Sequence, residues 1–145
     1  MSGKIRLTGN EMQYISLFES VTGATVKDCI IDDKSDRIIF LIKAGDLGLA
    51  IGKHGSHINL LRNMTKKNVE VIEHAEDPAA LIKNALAPAR VKDIRITERT
   101  DGKKVAFVVV EPRDKGVAIG KNGRTAERTR FLAKRYFEID HVIIA

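Results

Sequence analysis

A five-residue pattern, Ile-Gly-Lys-x-Gly, occurs twice in this chain of 145 residues, at positions 51–55 and 119–123. The flanking sequence repeats with it, since residues 46–55 and 114–123 align without gaps and are identical at seven of ten positions. A short glycine pattern alone carries little information, but two copies in matched surroundings indicate a duplicated module. The duplication therefore limits the fold to a pair of small, similar units.

Basic residues downstream of the pattern also coincide in the two copies: Arg62 with Arg130, and Lys66 with Lys134. We predict two domains, residues 1–74 and 75–145, joined by a linker of only a few residues. Units of this size are near the lower limit for stable folding, so we expect the two to pack as a fixed pair.

Hydrophobic periodicity and turn residues predict the order of elements in the first module. A helix begins at the capping-box sequence Thr8-Gly9-Asn10-Glu11, and strands at 26–31 and 37–43 form a hairpin. A short helix at 47–51, capped by Asp46, and a longer helix at about 56–67 flank the glycine loop. The longer helix is expected to bury Ile58, Leu61 and Met64, and a strand at 69–73 closes the module.

The second module repeats this order. Asp77-Pro78 is a strong helix start, because an N-cap residue precedes proline at the first helical position. The apolar face of that helix is expected to consist of Leu81, Ile82, Ala85 and Leu86. The remaining elements are strands at 91–99 and 103–110, helices at 114–119 and 124–136, and a strand at 139–144.

The net charge of +6 is unevenly distributed along the chain. Residues 1–73 carry ten Lys and Arg against nine Asp and Glu, whereas residues 74–145 carry fifteen against ten. The excess of basic residues is concentrated directly after each glycine loop. For a single basic run, a solvated helix face would be the simplest interpretation. Because both runs follow the same loop, a surface that binds a polyanion is the better explanation.

A Gly-Lys-x-Gly loop between two helices has the properties of a phosphate clamp. The second helix presents backbone N–H groups and a positive dipole end, and glycine removes the Cβ atoms that would keep a sugar-phosphate chain away. Bases would then meet the aliphatic side chains of Ile51, Ile58 and Ile119. The candidate RNA-binding residues are Ile51, Gly52, Lys53, His54, Gly55, Arg62, Lys66, Ile119, Gly120, Lys121, Asn122, Gly123, Arg124, Arg128 and Arg135.

Other chemistries are disfavoured by the details of the sequence. The glycine spacing before each lysine is one residue short of a P-loop, and no Ser or Thr follows the lysine to bind magnesium. The four histidines and the single Cys29 share no metal-ligand spacing, and Cys29 is expected to be a small buried hydrophobe. We therefore predict no enzymatic activity, no cofactor and no metal. One cysteine and the lack of a long apolar run favour a cytoplasmic protein without a membrane span.

The element order, with Ile-Gly-Lys-x-Gly between two helices, resembles type II KH domains in tandem. The segment Asp77-Pro78-Ala79-Ala80-Leu81-Ile82-Lys83-Asn84-Ala85-Leu86-Ala87-Pro88-Ala89 resembles the opening of the second KH domain of NusA transcription factors. The resemblance extends from about residue 8 to the end and is to the short archaeal NusA-like family. It implies an α/β (α+β) fold of two KH domains, each a three-stranded mixed sheet covered by three helices.

The resemblance also implies a function in transcription termination or antitermination, with single-stranded RNA of the nascent transcript as the ligand. RNA polymerase and other elongation factors are candidate partners, although the polymerase-binding and OB-fold domains of the bacterial factor are not found in this sequence. A KH protein of the ribosome or another RNP is the alternative, and a protein-interaction scaffold is the third. Co-sedimentation with ribosomes separates the first two, and affinity for free single-stranded RNA separates both from the third.

Overall fold

The computed structural model describes residues 9–145. These residues form two compact units, and the division lies between His74 and Ala75. Thr8, the first residue of the predicted capping box, lies outside the described residues. Each unit is built from the same succession of helices and strands, so the two are described in turn.

The first unit has six elements in the order helix, strand, strand, helix, helix, strand. They are α1 (Gly9–Thr22), β1 (Val26–Asp32), β2 (Arg37–Ile42), α2 (Leu47–Ile51), α3 (Ser56–Thr65) and β3 (Asn68–Glu73). The second unit follows the same order with a longer penultimate helix. Its elements are α4 (Pro78–Leu86), β4 (Val91–Glu98), β5 (Lys104–Val110), α5 (Lys115–Ile119), α6 (Arg124–Phe137) and β6 (His141–Ile144).

Each sheet has three strands in sequential order. The middle strand is antiparallel to one neighbour and parallel to the other. The strands β1 and β2 are antiparallel, and β2 and β3 are parallel. In the same way, β4 and β5 are antiparallel, and β5 and β6 are parallel. Three helices accompany each mixed sheet, which confirms the predicted α+β fold of two type II KH domains.

The core of each unit lies between the sheet and its helices. In the first unit, the rings of Phe18 in α1 and Phe40 in β2 pack with centroids 4.2 Å apart, and Leu61 of α3 is buried beside them. In the second unit, the four residues predicted for the apolar face of α4 are all buried. Helical spacing was therefore sufficient to predict the buried face of α4.

Met64 departs from the prediction, because 51% of its surface is exposed. Ile58 and Leu61 are buried as expected. Residues spaced by three positions drift by roughly 60° per step around an α-helix, so the third member of the series turns away from the sheet. The assignment of Met64 to the core is therefore wrong.

Asp46 occupies the N-cap position of α2, but its carboxylate makes no hydrogen bond to that helix. Its backbone is at φ −98° and ψ 2°, outside the extended region from which a capping side chain reaches the first turn. The carboxylate instead accepts the backbone N–H of Thr25 at 2.9 Å. The prediction of a side-chain cap at Asp46 is therefore wrong, whereas Asp77 does cap α4 by accepting the N–H of Ala80 at 2.9 Å.

Candidate nucleic-acid interface

The first glycine loop connects α2 to α3 through a single 3-10 turn, Lys53–Gly55. Gly52 leaves α2 with φ 76° and ψ 168°, and its N–H donates to the carbonyl of Gly48 at 3.0 Å. Gly55 donates in turn to the carbonyl of Gly52 at 3.1 Å. His54 and Gly55, with φ of 55° and 75°, both have left-handed backbone conformations. Two hydrogen bonds thus fix a tight turn directly before α3.

The second loop has the same conformation. Gly120 has φ 83° and ψ 167°, Asn122 has φ 57° and ψ 26°, and Gly123 has φ 75°. The equivalent hydrogen bonds run from Gly120 to Gly116 at 2.9 Å and from Gly123 to Gly120 at 3.0 Å. The sequence repeat is therefore also a repeat of backbone geometry.

The first glycine of each loop is required for two reasons. Its combination of φ and ψ belongs to a region that is essentially restricted to glycine. A Cβ atom on Gly52 would also lie 2.7 Å from Cγ of His57, and one on Gly120 would lie 2.7 Å from the backbone nitrogen of Thr125. The second glycine, by contrast, has open space around it at Gly123. Its conformation alone favours glycine there.

The variable position of the pattern also has a conformational explanation. His54 and Asn122 are both left-handed, and histidine and asparagine are among the non-glycine residues that tolerate this region best. The side chains at both loop tips project from the unit and are exposed: Lys53, His54, Lys121 and Asn122. Each tip can therefore present one cation and one hydrogen-bonding side chain to a ligand.

An isoleucine precedes each loop, and its side chain is partly accessible. Ile51 is 37% exposed and Ile119 is 39% exposed, whereas the alanine before each of them is fully buried. Apolar surface thus lies beside the cation in both loops. Ile58, which we also expected to contact bases, is 9% exposed and belongs to the core of the first unit. That part of the base-contact prediction is wrong, because the side chain points towards the sheet.

The basic residues of α3 and its end differ in how they are engaged. Arg62 and Lys66 are exposed. Lys67 instead forms ion pairs with Asp36 at 3.2 Å and Asp33 at 3.7 Å, and the hydrogen bond to Asp36 raises the pKa of its ammonium group. In the second unit, Lys134 is paired in a similar way with Asp140 at 2.6 Å. Fewer basic side chains are therefore available to a ligand than the number in the sequence, because Lys67 and Lys134 are engaged in ion pairs.

Arg124, Arg128 and Arg135 follow helical spacing along α6, and we predict that this basic stripe tracks the RNA backbone. Arg128, however, is partly buried and is held by the protein itself. Its Nε and Nη2 atoms donate to the carbonyl of Ala85 at 3.2 and 2.9 Å, and Nη2 lies 3.4 Å from the carbonyl of Ala87. These carbonyls are at the C-terminal end of α4, where a cation is favourable. The structure therefore gives Arg128 a role in joining α4 to α6.

The other members of this stripe lie at opposite ends of α6. Arg124 is its first residue and directly follows the loop. The guanidinium of Arg135 lies over the ring of Phe131, 5.8 Å from the ring centroid, and Phe131 is 45% exposed. Sequence reasoning missed Phe131, although an aromatic residue within a basic run is a signal for nucleic-acid binding.

Neither a metal site nor a membrane span is found in the part of the chain that the structure describes. No group of three or more His, Cys, Asp or Glu side chains gathers there in a way that could hold a metal ion. Within residues 9–145, no helix combines the length and apolar composition that crossing a membrane requires. At the two loops, the described surface presents exposed cations beside partly accessible isoleucines.

The two units match different KH-domain family models. Residues 12–83 match the KH domain model, and residues 78–144 match the model of the NusA-like second KH domain. Each match contains one of the two glycine loops.

Three similar proteins show how far this likeness extends. A protein of Halococcus morrhuae named probable transcription termination protein NusA is 39% identical over 142 residues, which cover 98% of this chain and 99% of the relative. A protein of the same name from Methanocaldococcus jannaschii is 32% identical over 139 residues, which cover 96% of this chain and 74% of the relative. The crystal structure of APE1850 matches with a TM-score of 0.84 and 39% identity, covering 96% of this chain and all (100%) of that one.

Proposed function

We propose, from the premise that the chain belongs to the NusA-like family of tandem KH-domain proteins, that it is a non-enzymatic RNA-binding factor of transcription termination or antitermination. Its ligand is the single-stranded RNA of the nascent transcript. RNA polymerase or another elongation factor is the expected protein partner, because a termination factor must act on the transcribing complex.

The observation that carries this proposal is the shared shape of the two loops. Each places an exposed lysine at a turn that is held by the same pair of hydrogen bonds. A connector whose only task was to join two helices would not need the same lysine, the same left-handed pair and the same crowded glycine twice. A common ligand explains why these features occur together in both units.

The proposed contact begins with the phosphates of the RNA. The N-caps of α3 and α6, Gly55 and Gly123, provide no side-chain hydrogen bond to their helices. The first amide of each helix, that of Ser56 or Arg124, donates to the carbonyl of Lys53 or Lys121, so the attraction for an anion comes from the positive dipole ends of the helices. Lys53 and Lys121 add a mobile positive charge at the same point. The glycines allow the RNA backbone to approach closely.

The bases would lie against the apolar surface beside each loop. Ile51 and Ile119 supply this surface, and KH loops typically hold about four nucleotides each. Arg62 and Lys66 in the first unit and Arg124 in the second would follow the RNA backbone away from the loop. In the second unit, Phe131 with Arg135 adds a platform for stacking, since aromatic and guanidinium planes both stack on bases.

The test reverses the charge of each loop in the whole chain. The variants Lys53→Asp with His54→Asp, and Lys121→Asp with Asn122→Asp, place carboxylates at exposed positions where phosphates are expected. Affinity for a short unstructured RNA, measured by fluorescence anisotropy, should fall at least about tenfold for each double variant, a change equivalent to 1.4 kcal/mol. The thermal midpoint should remain within a few degrees.

A matched control carries the same change of charge away from the loops. Lys27 and Lys34 are exposed in the β1–β2 hairpin, so Lys27→Asp with Lys34→Gln, which lowers the net charge by the same amount as each loop variant, tests the effect of net charge. If the loop variants bind RNA as the control does, the loops are not the clamp. Equal affinity for the same RNA annealed to its complement would also contradict the proposal, since a clamp that leaves bases free requires an unpaired strand.

A further inference from the structure

The strand β4 is an exposed edge of the second sheet. Within residues 9–145 it pairs only with β5, and six of its eight residues are exposed, the other two being partly buried. The equivalent edge strand of the first unit, β1, is more protected, because Asp28 and Cys29 are buried within it. The two units therefore differ at this edge even though their topology is the same.

The backbone groups of β4 that point away from β5 can be identified from the end of the hairpin. The N–H of Arg99 donates to the carbonyl of Lys103 at 2.7 Å. Since bonded pairs alternate along an antiparallel ladder, Arg95 and Thr97 are directed towards β5. The N–H and carbonyl groups of Ile94, Ile96 and Glu98 are then directed towards the open edge.

Two cavities border β4 on the side of α4. The first, of about 380 Å³, lies between the start of α4 and the first half of β4, with Ala79, Ala80, Lys83 and Lys92 in its lining. The second, of about 290 Å³, includes Ile96 of β4. Because both cavities are lined by the first turn of α4 and by β4, they lie along the same strand edge.

The second cavity is an opening into the apolar core. Ile96 pairs with Ala106, which is fully buried, yet Ile96 itself is 38% exposed. Pro78, Phe137 and Ile139 complete the apolar part of the lining. One apolar side chain placed here would be buried against four others, so the cavity is suited to an anchoring residue.

The first cavity has a different chemistry, because its lysines are available to a ligand. Lys83 and Lys92 are exposed and form no ion pair with any residue in the described part of the chain. The nearby carboxylates are already engaged, Asp77 as the cap of α4 and Asp93 with Arg95 at 3.0 Å. The local charge therefore favours acidic side chains on whatever occupies this end of the edge.

We propose that β4 accepts an extended acidic segment of a partner protein as a fourth strand of the second sheet. The backbone of the segment bonds to Ile94, Ile96 and Glu98 at the open edge. An acidic side chain lies beside Lys83 and Lys92, and an apolar side chain about four residues away, roughly 13 Å along a strand, fills the second cavity. A protein segment is favoured over RNA, because it matches the alternating donors and acceptors and the apolar cavity.

The probe is a labelled peptide, Thr-Val-Phe-Thr-Val-Thr-Glu-Asp-Glu, together with its reversed sequence, so that both strand directions are represented. We expect the full chain to bind one of the two with a dissociation constant on the order of 10–100 μM, as for an isolated strand-addition peptide. Methylation of alternate backbone nitrogens in the peptide should abolish binding, since it removes the strand hydrogen bonds and keeps every side chain. In NMR spectra, the amides of Ile94, Ile96 and Glu98 should shift most and exchange more slowly.

The charge variant is Lys83→Glu with Lys92→Glu, and its matched control is Lys27→Glu with Lys34→Glu. The first should weaken peptide binding at least about tenfold relative to the second, in keeping with two lost charge contacts. Three results would overturn the proposal: no binding of either peptide below about 1 mM, undiminished binding of the methylated peptide, or shifts confined to the glycine loops. A larger loss of RNA affinity in the charge variant than in its control would also overturn it, by identifying the edge as a nucleic-acid site.

Discussion

The guanidinium of Arg128 donates from two nitrogens to a single backbone carbonyl, that of Ala85, at 3.2 and 2.9 Å. This contact connects the second turn of α6 to the last turn of α4. Arg128 is a member of the predicted RNA-binding stripe, and this contact gives it a role in holding α4 and α6 together. Lys121, by contrast, is exposed at the tip of the second loop.

Replacing Arg128 by alanine should therefore affect mainly the stability of the protein, and replacing Lys121 by alanine should affect mainly its RNA affinity. We expect Arg128→Ala to lower the free energy of unfolding by about 1.5–3 kcal/mol, the range for hydrogen bonds to a charged group, with a small change in RNA affinity. Lys121→Ala should lower RNA affinity and leave unfolding unchanged. Urea titration and anisotropy on the same preparations provide both measurements, and loss of RNA affinity in a stable Arg128→Ala protein would contradict this assignment.

The glycines of the second loop provide a graded test of the backbone. Gly120→Ala should lower the free energy of unfolding by about 1–3 kcal/mol, because it combines a glycine-only conformation with a close approach to Thr125. Gly123→Ala should cost less, about 1–2 kcal/mol, since only the left-handed conformation opposes it.

Gly116 lies within α5 and has open space at its Cβ position. Gly116→Ala should therefore stabilise the protein by up to about 1 kcal/mol, as alanine does within a helix. The predicted order of stability is Gly116→Ala, wild type, Gly123→Ala and Gly120→Ala. If Gly120→Ala were more stable than Gly123→Ala, the crowding at Thr125 would be relieved at little cost in free energy.

Salt dependence should report how many phosphates the whole chain contacts. Because Lys134 and Arg128 are engaged within the protein, we expect about two phosphate contacts for each unit. With a slope of about −0.7 per contact on a single strand, the logarithm of affinity should fall with the logarithm of salt concentration at a slope of about −3. Reversing the charge of one loop should reduce this slope by about half. An unchanged slope in either loop variant would mean that the loop concerned contacts no RNA.

Acid should remove the contribution of two carboxylates to folding. Hydrogen bonds from the Arg90 side chain, and then from its backbone N–H, hold the pKa of Asp114 below its ordinary value of 3.8. The Lys134 side chain and then the Lys104 N–H lower the pKa of Asp140 in the same way. Because the folded pKa lies below the unfolded one, this stabilisation is present in full above about pH 4 and is lost as the pH falls through the folded value.

The variants Asp114→Asn and Asp140→Asn should thus be less stable than the wild type at neutral pH, and the difference should shrink below about pH 4. Urea unfolding at a series of pH values measures this difference. Glu76→Gln, at an exposed position, is the control and should show no comparable loss at neutral pH. A difference that remained constant down to pH 2 would show that packing, and not the ionised carboxylate, is responsible.

The order of helices and strands could be predicted from the sequence because each element carries a local signal. A short apolar run rich in isoleucine identifies β2, and Asp77-Pro78 identifies the start of α4. The apolar face of α4 follows from helical spacing alone. Met64 was misassigned because the same spacing rule, extended by one further turn, takes no account of where the sheet lies.

The sequence was sufficient to locate the candidate interface, but not to predict its backbone conformation or its side-chain contacts. The repeated pattern identifies the loops, whereas the left-handed backbone of His54 and Asn122 depends on the whole turn. The role of Arg128 depends on how α6 packs against α4, which no local pattern records. The loops, the flanking isoleucines and the remaining basic residues stay a prediction as an RNA-binding set, and so does the fixed packing of the two units.

The hydrogen bonds from Gly55 to Gly52 and from Gly123 to Gly120 also bear on kinetics. A loop already closed in this way has little conformational entropy to lose when a ligand arrives. We expect association to need no slow rearrangement at either turn, so that its rate is set by diffusion and by the attraction of the positive charges. Two such sites on one chain would let a moving transcript be released at one turn and recaptured at the other.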